Sequence, residues 1–325
     1  MPAGVQRSRY VLAVAIAMLA VGAVPARAEG GVEDRWLAGL TERIVADLAA
    51  GKPLVVEVHA PLCDNTIIQC GNAKLGDGDN PDTNLYWSTT PGLGSWFARR
   101  DGGWTRVVRQ QRGQTGDDDI LAVHAYRRTV AAPAAWRAAG APRKFELDVV
   151  IHGWRGKAID RALSAYAADA AGGAARTIKL GDGTAIAAGG AAQIVAWVGH
   201  NRLMDLERFD WPGPAAAAKG IVAIACSTAP YMQQLSAATR VPLLMTRDLL
   251  FANAAPLEAA VLAYVAGGGF AQIRHDATSA YAEIQRSAYQ HVSGLFSNPS
   301  DTRWPRASVP SSPRALPSAA SGSQR

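Results

Sequence analysis

Histidine and cysteine are scarce in this chain, six and three residues respectively, and several stand where short apolar runs end. Five runs read as strands: LVVEVHA (54–60), FELDVVIHG (145–153), QIVAWVG (193–199), GIVAIAC (220–226) and VPLLMT (241–246). The first ends at His59 with Cys63 and Asp64 just beyond, and the second at His152-Gly153-Trp154-Arg155. The third ends at His200-Asn201 with Asp205 close behind, the fourth at Cys226-Ser227-Thr228, and the fifth at Thr246-Arg247-Asp248. An open parallel sheet binds ligands outside the carboxyl ends of its strands, so these residues are placed to meet one. A thiol beside an imidazole is a nucleophile beside a base. The imidazole takes the proton that keeps a free thiol, of pKa near 8.5, mostly inert at neutral pH.

The cysteine count narrows the choice of nucleophile. Residues 1–28 carry Arg7 and Arg9, the apolar run VLAVAIAMLAVGAV and the triplet Ala26-Arg27-Ala28. These are the three parts of a secretory signal peptide, with cleavage expected before Glu29. In the oxidising compartment this implies, Cys63 and Cys70 bracket the loop DNTIIQ and are natural disulfide partners. Cys226 is then free, either as an inert buried thiol or as a nucleophile. The expected location is periplasmic or secreted, with no membrane association after cleavage.

The elements that must hold these residues read as an α/β fold. Continuous Val/Ile/Leu runs suit parallel strands covered on both faces. GKAIDRALSAYAADAA (156–171), TAPYMQQLSAATR (228–240) and APLEAAVLAYVAG (255–267) read as helices between or after them. The pattern predicts a three-layer sandwich with a mostly parallel central sheet over residues 29–297. An insertion over 61–144 follows the first strand, and its segment Leu121–Ala139 reads as helical with a break at Pro133. Residues 171–192 read as a hairpin. The Pro/Ser/Ala/Arg-rich stretch 298–325 is expected to be a disordered tail.

VAWVGHN (195–201) followed by IVAIACS (221–227) resembles the caspase-like cysteine peptidases, particularly the gingipain and CHAT branch. In that family the catalytic His ends one strand and the nucleophilic Cys ends the next, often as an Ala-Cys step. The following strand and helix are matched in outline by residues 241–268, so the resemblance covers roughly 145–270 plus the first strand. It implies His200 as general base, Cys226 as nucleophile and a peptide or protein substrate. Asn201 stands where the family usually has a Gly. Asn201, Ser227, His152, Asp205 and Arg247 are the candidates for an oxyanion or substrate pocket. A helix starting near Ser227 would favour a thiolate and offer backbone N–H groups to an oxyanion. The competing expectation is a non-catalytic binding or scaffold protein on the same fold.

Other chemistries find less support. The formal charge of +6 is spread along the chain, and no Lys/Arg cluster alternates with aromatics as a nucleic-acid binder requires. GDGDNPD lacks the spacing of a calcium loop and reads as a polar turn. Asp117 to Asp119 read as a solvated loop or helix start. His59, His152 and His200 lack zinc-ligand spacing. No metal and no cofactor are expected.

Overall fold

The apolar runs do become strands, and their order decides which strand ends meet. The structure is a computed structural model that describes residues 31–233, 235 and 238–305. Helix α1 (Val32–Ala49) leads into β1 (Leu54–Pro61). The region that follows contains the one-turn helix α2 (Leu93–Trp96), strands β2 (Thr105–Gln111) and β3 (Ile120–Ala131), and the short α3 (Ala134–Ala138). Then come β4 (Lys144–Trp154), α4 (Ile159–Ala170), the hairpin strands β5 (Ala175–Lys179) and β6 (Ala185–Gly189), and β7 (Ile194–Val198). The chain continues through β8 (Lys219–Ile224), the four-residue α5 (Ala229–Met232) and β9 (Arg240–Thr246). It closes with α6 (Ala255–Val265), α7 (Phe270–Gln285), α8 (Tyr289–Val292) and β10 (Phe296–Ser297).

The main sheet has eight strands in the order β10-β9-β8-β7-β1-β4-β3-β2. From β9 to β4 every pairing is parallel. Antiparallel strands finish both sides, β10 on β9 and the β3–β2 pair on β4. The parallel strands therefore run second-first-third-fourth-fifth in chain order, a doubly wound arrangement that reverses direction between β1 and β7. One face is covered by α1, α6 and α7, through Leu40 and Ile44, Leu257 and Tyr264, Ile273 and Tyr281. The other is covered by α4 and the β5–β6 hairpin, through Ile159, Leu163, Tyr166, Ile178 and Ile186. Strands β1, β7, β8 and β9 are buried along their whole length. Burying each Leu, Ile or Val side chain contributes roughly 1.5–3 kcal/mol.

Three expectations need correction. Leu121–Ala139 is not a helix: most of it is β3, which pairs along the full length of β4 and carries β2 on its other side. The run LAVHAYRRTV is rich in β-branched and aromatic residues, and β4 would otherwise present a long unpaired edge. TAPYMQQLSAATR forms only the single turn α5 within its described residues. The ordered body also extends past 297. Asn298 Nδ2 donates to the carbonyls of Leu243 (3.0 Å) and Phe270 (2.8 Å), and Asp301 and Trp304 are buried. The expected signal peptide, residues 1–28, and residues 306–325 lie outside the described residues. The 171–192 hairpin and the Cys63–Cys70 disulfide are present as expected. Helices α1 and α7 were not among the elements anticipated from the sequence.

Candidate functional site

β7 and β8 are paired in register, with Val198 opposite Ile224. His200 and Cys226 each stand two residues further on, at matched positions where the sheet opens. The Gly199 amide donates to the Ile224 carbonyl at 3.2 Å, which continues the ladder to that point. Ala196 and Val198 on β7, like Val222 and Ile224 on β8, face the α1/α6/α7 layer.

The turn after Cys226 is tightly held. Ser227 adopts a left-handed conformation, φ 49°, which costs a residue other than glycine of order 1–3 kcal/mol. Its amide donates to the Asp248 carbonyl (3.1 Å), and the Thr228 amide to Thr246 Oγ1 (3.1 Å). Asn201, almost fully buried, donates through Nδ2 to the carbonyls of Cys226 (2.7 Å) and Ser227 (3.3 Å). Its Oδ1 accepts the Leu203 amide. Asn201 is therefore a latch between the two strand-end loops, and its amide group has no hydrogen left for an oxyanion. The amides of Ser227 and Thr228 are likewise committed, so the expected helix-terminus donors are not free here.

His200 Nε2 lies 2.6 Å from Asp205 Oδ2, and Arg202 Nη1 approaches the same oxygen at 3.4 Å. Nδ1 is left for another partner. Cys226 is partly exposed, and its thiol donates to the Leu250 carbonyl at 3.7 Å, a long and weak sulfur contact. Among the described residues no hydrogen bond joins His200 to Cys226. Tyr86 and Tyr281 border the thiol. Burial above all pushes both phenols above their ordinary range, while for Tyr281 the hydrogen bond from the Phe251 amide pulls the other way.

Two predicted pocket residues are elsewhere. Arg247 Nε bonds Asp301 Oδ2 (2.7 Å) and Ser297 Oγ (3.1 Å), which fastens β9 to the segment after β10. His152 lies in the opposite strand phase, toward α4, with Nε2 2.8 Å from Glu57 Oε1. It belongs to a buried ionic network that sequence reasoning missed. His59 Nδ1 accepts from Trp154 Nε1 (3.2 Å), so its Nε2 donates to Asp169 Oδ2 (2.9 Å) and the ring is neutral. Arg176 of β5 reaches in to bond Glu57 (2.7 Å) and Asp169. Oxygen and nitrogen atoms of Glu57, His59 and Asp169 lie close enough together to hold a metal ion. The Arg176 guanidinium already supplies the positive charge between the two carboxylates, and a metal would have to displace it. Glu57, in the middle of an apolar strand, was the one sequence signal for this network.

The predicted loops are also placed. Asp117 and Asp119 form a turn before β3 whose carboxylates meet Arg161 and Arg155. GDGDNPD is a turn in which Asn80 caps a short helical turn. Among the described residues no helix is long and apolar enough to cross a membrane. No protein-family model matches the chain, and no curated protein or solved structure matches it significantly.

Proposed function

We infer that this is an exported cysteine hydrolase of caspase-like type, a peptidase in which His200 and Cys226 act as the catalytic dyad. The observation that supports this reading is their position: each lies two residues past the end of one of two directly paired parallel strands, where the sheet opens. Neighbouring backbones in a sheet are about 4.8 Å apart, a spacing from which side chains that lean toward each other can close to hydrogen-bond distance. The weak bond to the Leu250 carbonyl costs little to release. Asp205 supports the reading as the group that orients the imidazole, as the third member of such sites does. The disulfide supports export.

In this mechanism His200 takes the thiol proton through Nδ1, and the Cys226 sulfur forms a bond to the substrate carbonyl carbon. The tetrahedral adduct collapses, the carbon–nitrogen bond breaks, and the leaving amine takes the proton from His200. Water, deprotonated by the same imidazole, then cleaves the thioester. Incubation with peptidyl acyloxymethyl ketones should form a thioether at Cys226 with loss of the carboxylate, adding the inhibitor mass less that carboxylic acid, and His200→Ala should slow that addition at least tenfold. Failure of a varied panel to label Cys226 would argue for the second reading, a non-catalytic binding or scaffold role. That alternative is favoured by the thiol's engagement with Leu250 rather than with His200.

A further inference from the structure

A cleft of about 380 Å³ opens between the β2–β3 pair and the loop over residues 79–87. One wall is built by cross-strand partners: Arg109 of β2 faces His124 of β3, and Gln111 faces Ala122. Trp87 packs against the His124 ring, centroids 5.0 Å apart. That indole rests directly on β4 because Gly153 has no side chain, and a Cβ there would lie 2.8 Å from Trp87 Cζ3. Leu121 adds apolar surface beside it.

Two polar groups in this cleft keep hydrogen-bonding capacity for a ligand. Arg109 is exposed and makes no ion pair among the described residues. His124 is only 7% exposed, and one side of its ring is fixed. The Tyr126 hydroxyl donates its single hydrogen to the Gly94 carbonyl (3.1 Å), so it accepts from His124 Nδ1–H (3.2 Å). Nε2 is then the bare, accepting nitrogen, and it has no partner among the described residues. Burial first, then Arg106 and Arg109, push the ring pKa down to about 4 against a hydrogen bond with the Gly94 carbonyl, so His124 stays neutral near pH 7. Lining the cleft, this nitrogen can accept a hydrogen bond from a ligand's donor. The facing carboxylate of Asp79 is engaged by Arg112 and Arg155. Asp82 lines the same cleft and leaves the Arg109 side as the one that favours an anion.

We propose that this cleft binds an α-acylamino carboxylate, the group at the C-terminal end of a peptide. Arg109, helped by Gln111, holds the carboxylate as a planar fork holds an anion. His124 Nε2 accepts the neighbouring amide N–H. Trp87, Leu121 and Ala122 take a small apolar side chain. The site stands apart from the Cys226 reading and does not require it.

The test is calorimetric titration of the full chain at pH 7 with N-acetyl-Ala-Ala, and separately with its C-terminal amide. The free acid should bind saturably, and the amide at least about tenfold more weakly, as for loss of a charged hydrogen bond. Arg109→Gln, an exposed substitution, should weaken the acid to the level of the amide. Absence of saturable binding at millimolar acid, equal affinity for acid and amide, or full affinity in Arg109→Gln would each overturn the proposal.

Discussion

At the scale of single residues, the candidate site depends on a side chain whose expected role was different. Asn201 was a candidate oxyanion donor, yet it spends both Nδ2 hydrogens on the carbonyls of Cys226 and Ser227. Asn201→Ala would leave those carbonyls and the Leu203 amide without partners, costing about 1–3 kcal/mol. Asn201→Asp should cost more, because a carboxylate would then face two carbonyl oxygens. Urea denaturation of the two variants checks both the size and the order, and a neutral Asn201→Ala would contradict the latch. His200 and Cys226 were legible because each ends an apolar run. His152 and Arg247 end runs too, and what separates them is the partners they meet, Glu57 and Asp301. His152 alternates with Ile151 toward α4, a distinction that counting residues along FELDVVIHG could have exposed. The pairing of Arg247 with Asp301 was not legible, because it joins β9 to a segment whose composition reads as tail.

At the scale of elements, the five parallel strands were legible because burial on both faces leaves an unbroken apolar run. β3 was not, since a strand lying between β4 and the exposed β2 mixes His124, Arg127 and Arg128 into its pattern. Register then created the network under α4, by setting His59 beside His152 and bringing Arg176 in on the hairpin. Its titration has a definite sign. Burial holds the His59 pKa below the ordinary 6.5, against the pull of Asp169. For Glu57, burial alone would raise the pKa from 4.5, but His152, His59 and Arg176 outweigh it and hold the carboxylate lower. His124 is also depressed, to about 4. Each group binds protons more readily when unfolded, so each contributes stability at neutral pH that is lost on acidification. The histidine contributions begin to fade as pH falls through about 6.5, and the Glu57 contribution below about 4.5. Thermal unfolding from pH 8 to pH 4 should show a melting temperature that declines from about pH 6.5 downward. A flat profile to pH 4.5 would contradict this account of the buried histidines.

At the scale of the whole molecule, the sheet order gathers chemistry along one edge. The direction reversal between β1 and β7 leaves β7 paired with β8, so the strands that end in His200 and Cys226 are neighbours. The disulfide, Tyr86 and Trp87 belong to the loop region that follows β1. The fold class followed from the alternation of apolar runs and helices, whereas strand order depends on crossovers that a linear pattern does not record. The measurement that bears most directly on the central claim is the rate of Cys226 alkylation by iodoacetamide in the folded protein at pH 6. There an ordinary thiol is almost wholly protonated and reacts slowly. The account predicts labelling of Cys226 several-fold faster than a free cysteine at the same pH. His200→Ala should return the rate to that of an ordinary thiol, and His152→Ala should leave it nearly unchanged. Slow labelling at pH 6 that is indifferent to His200 would contradict the dyad while leaving the fold as described.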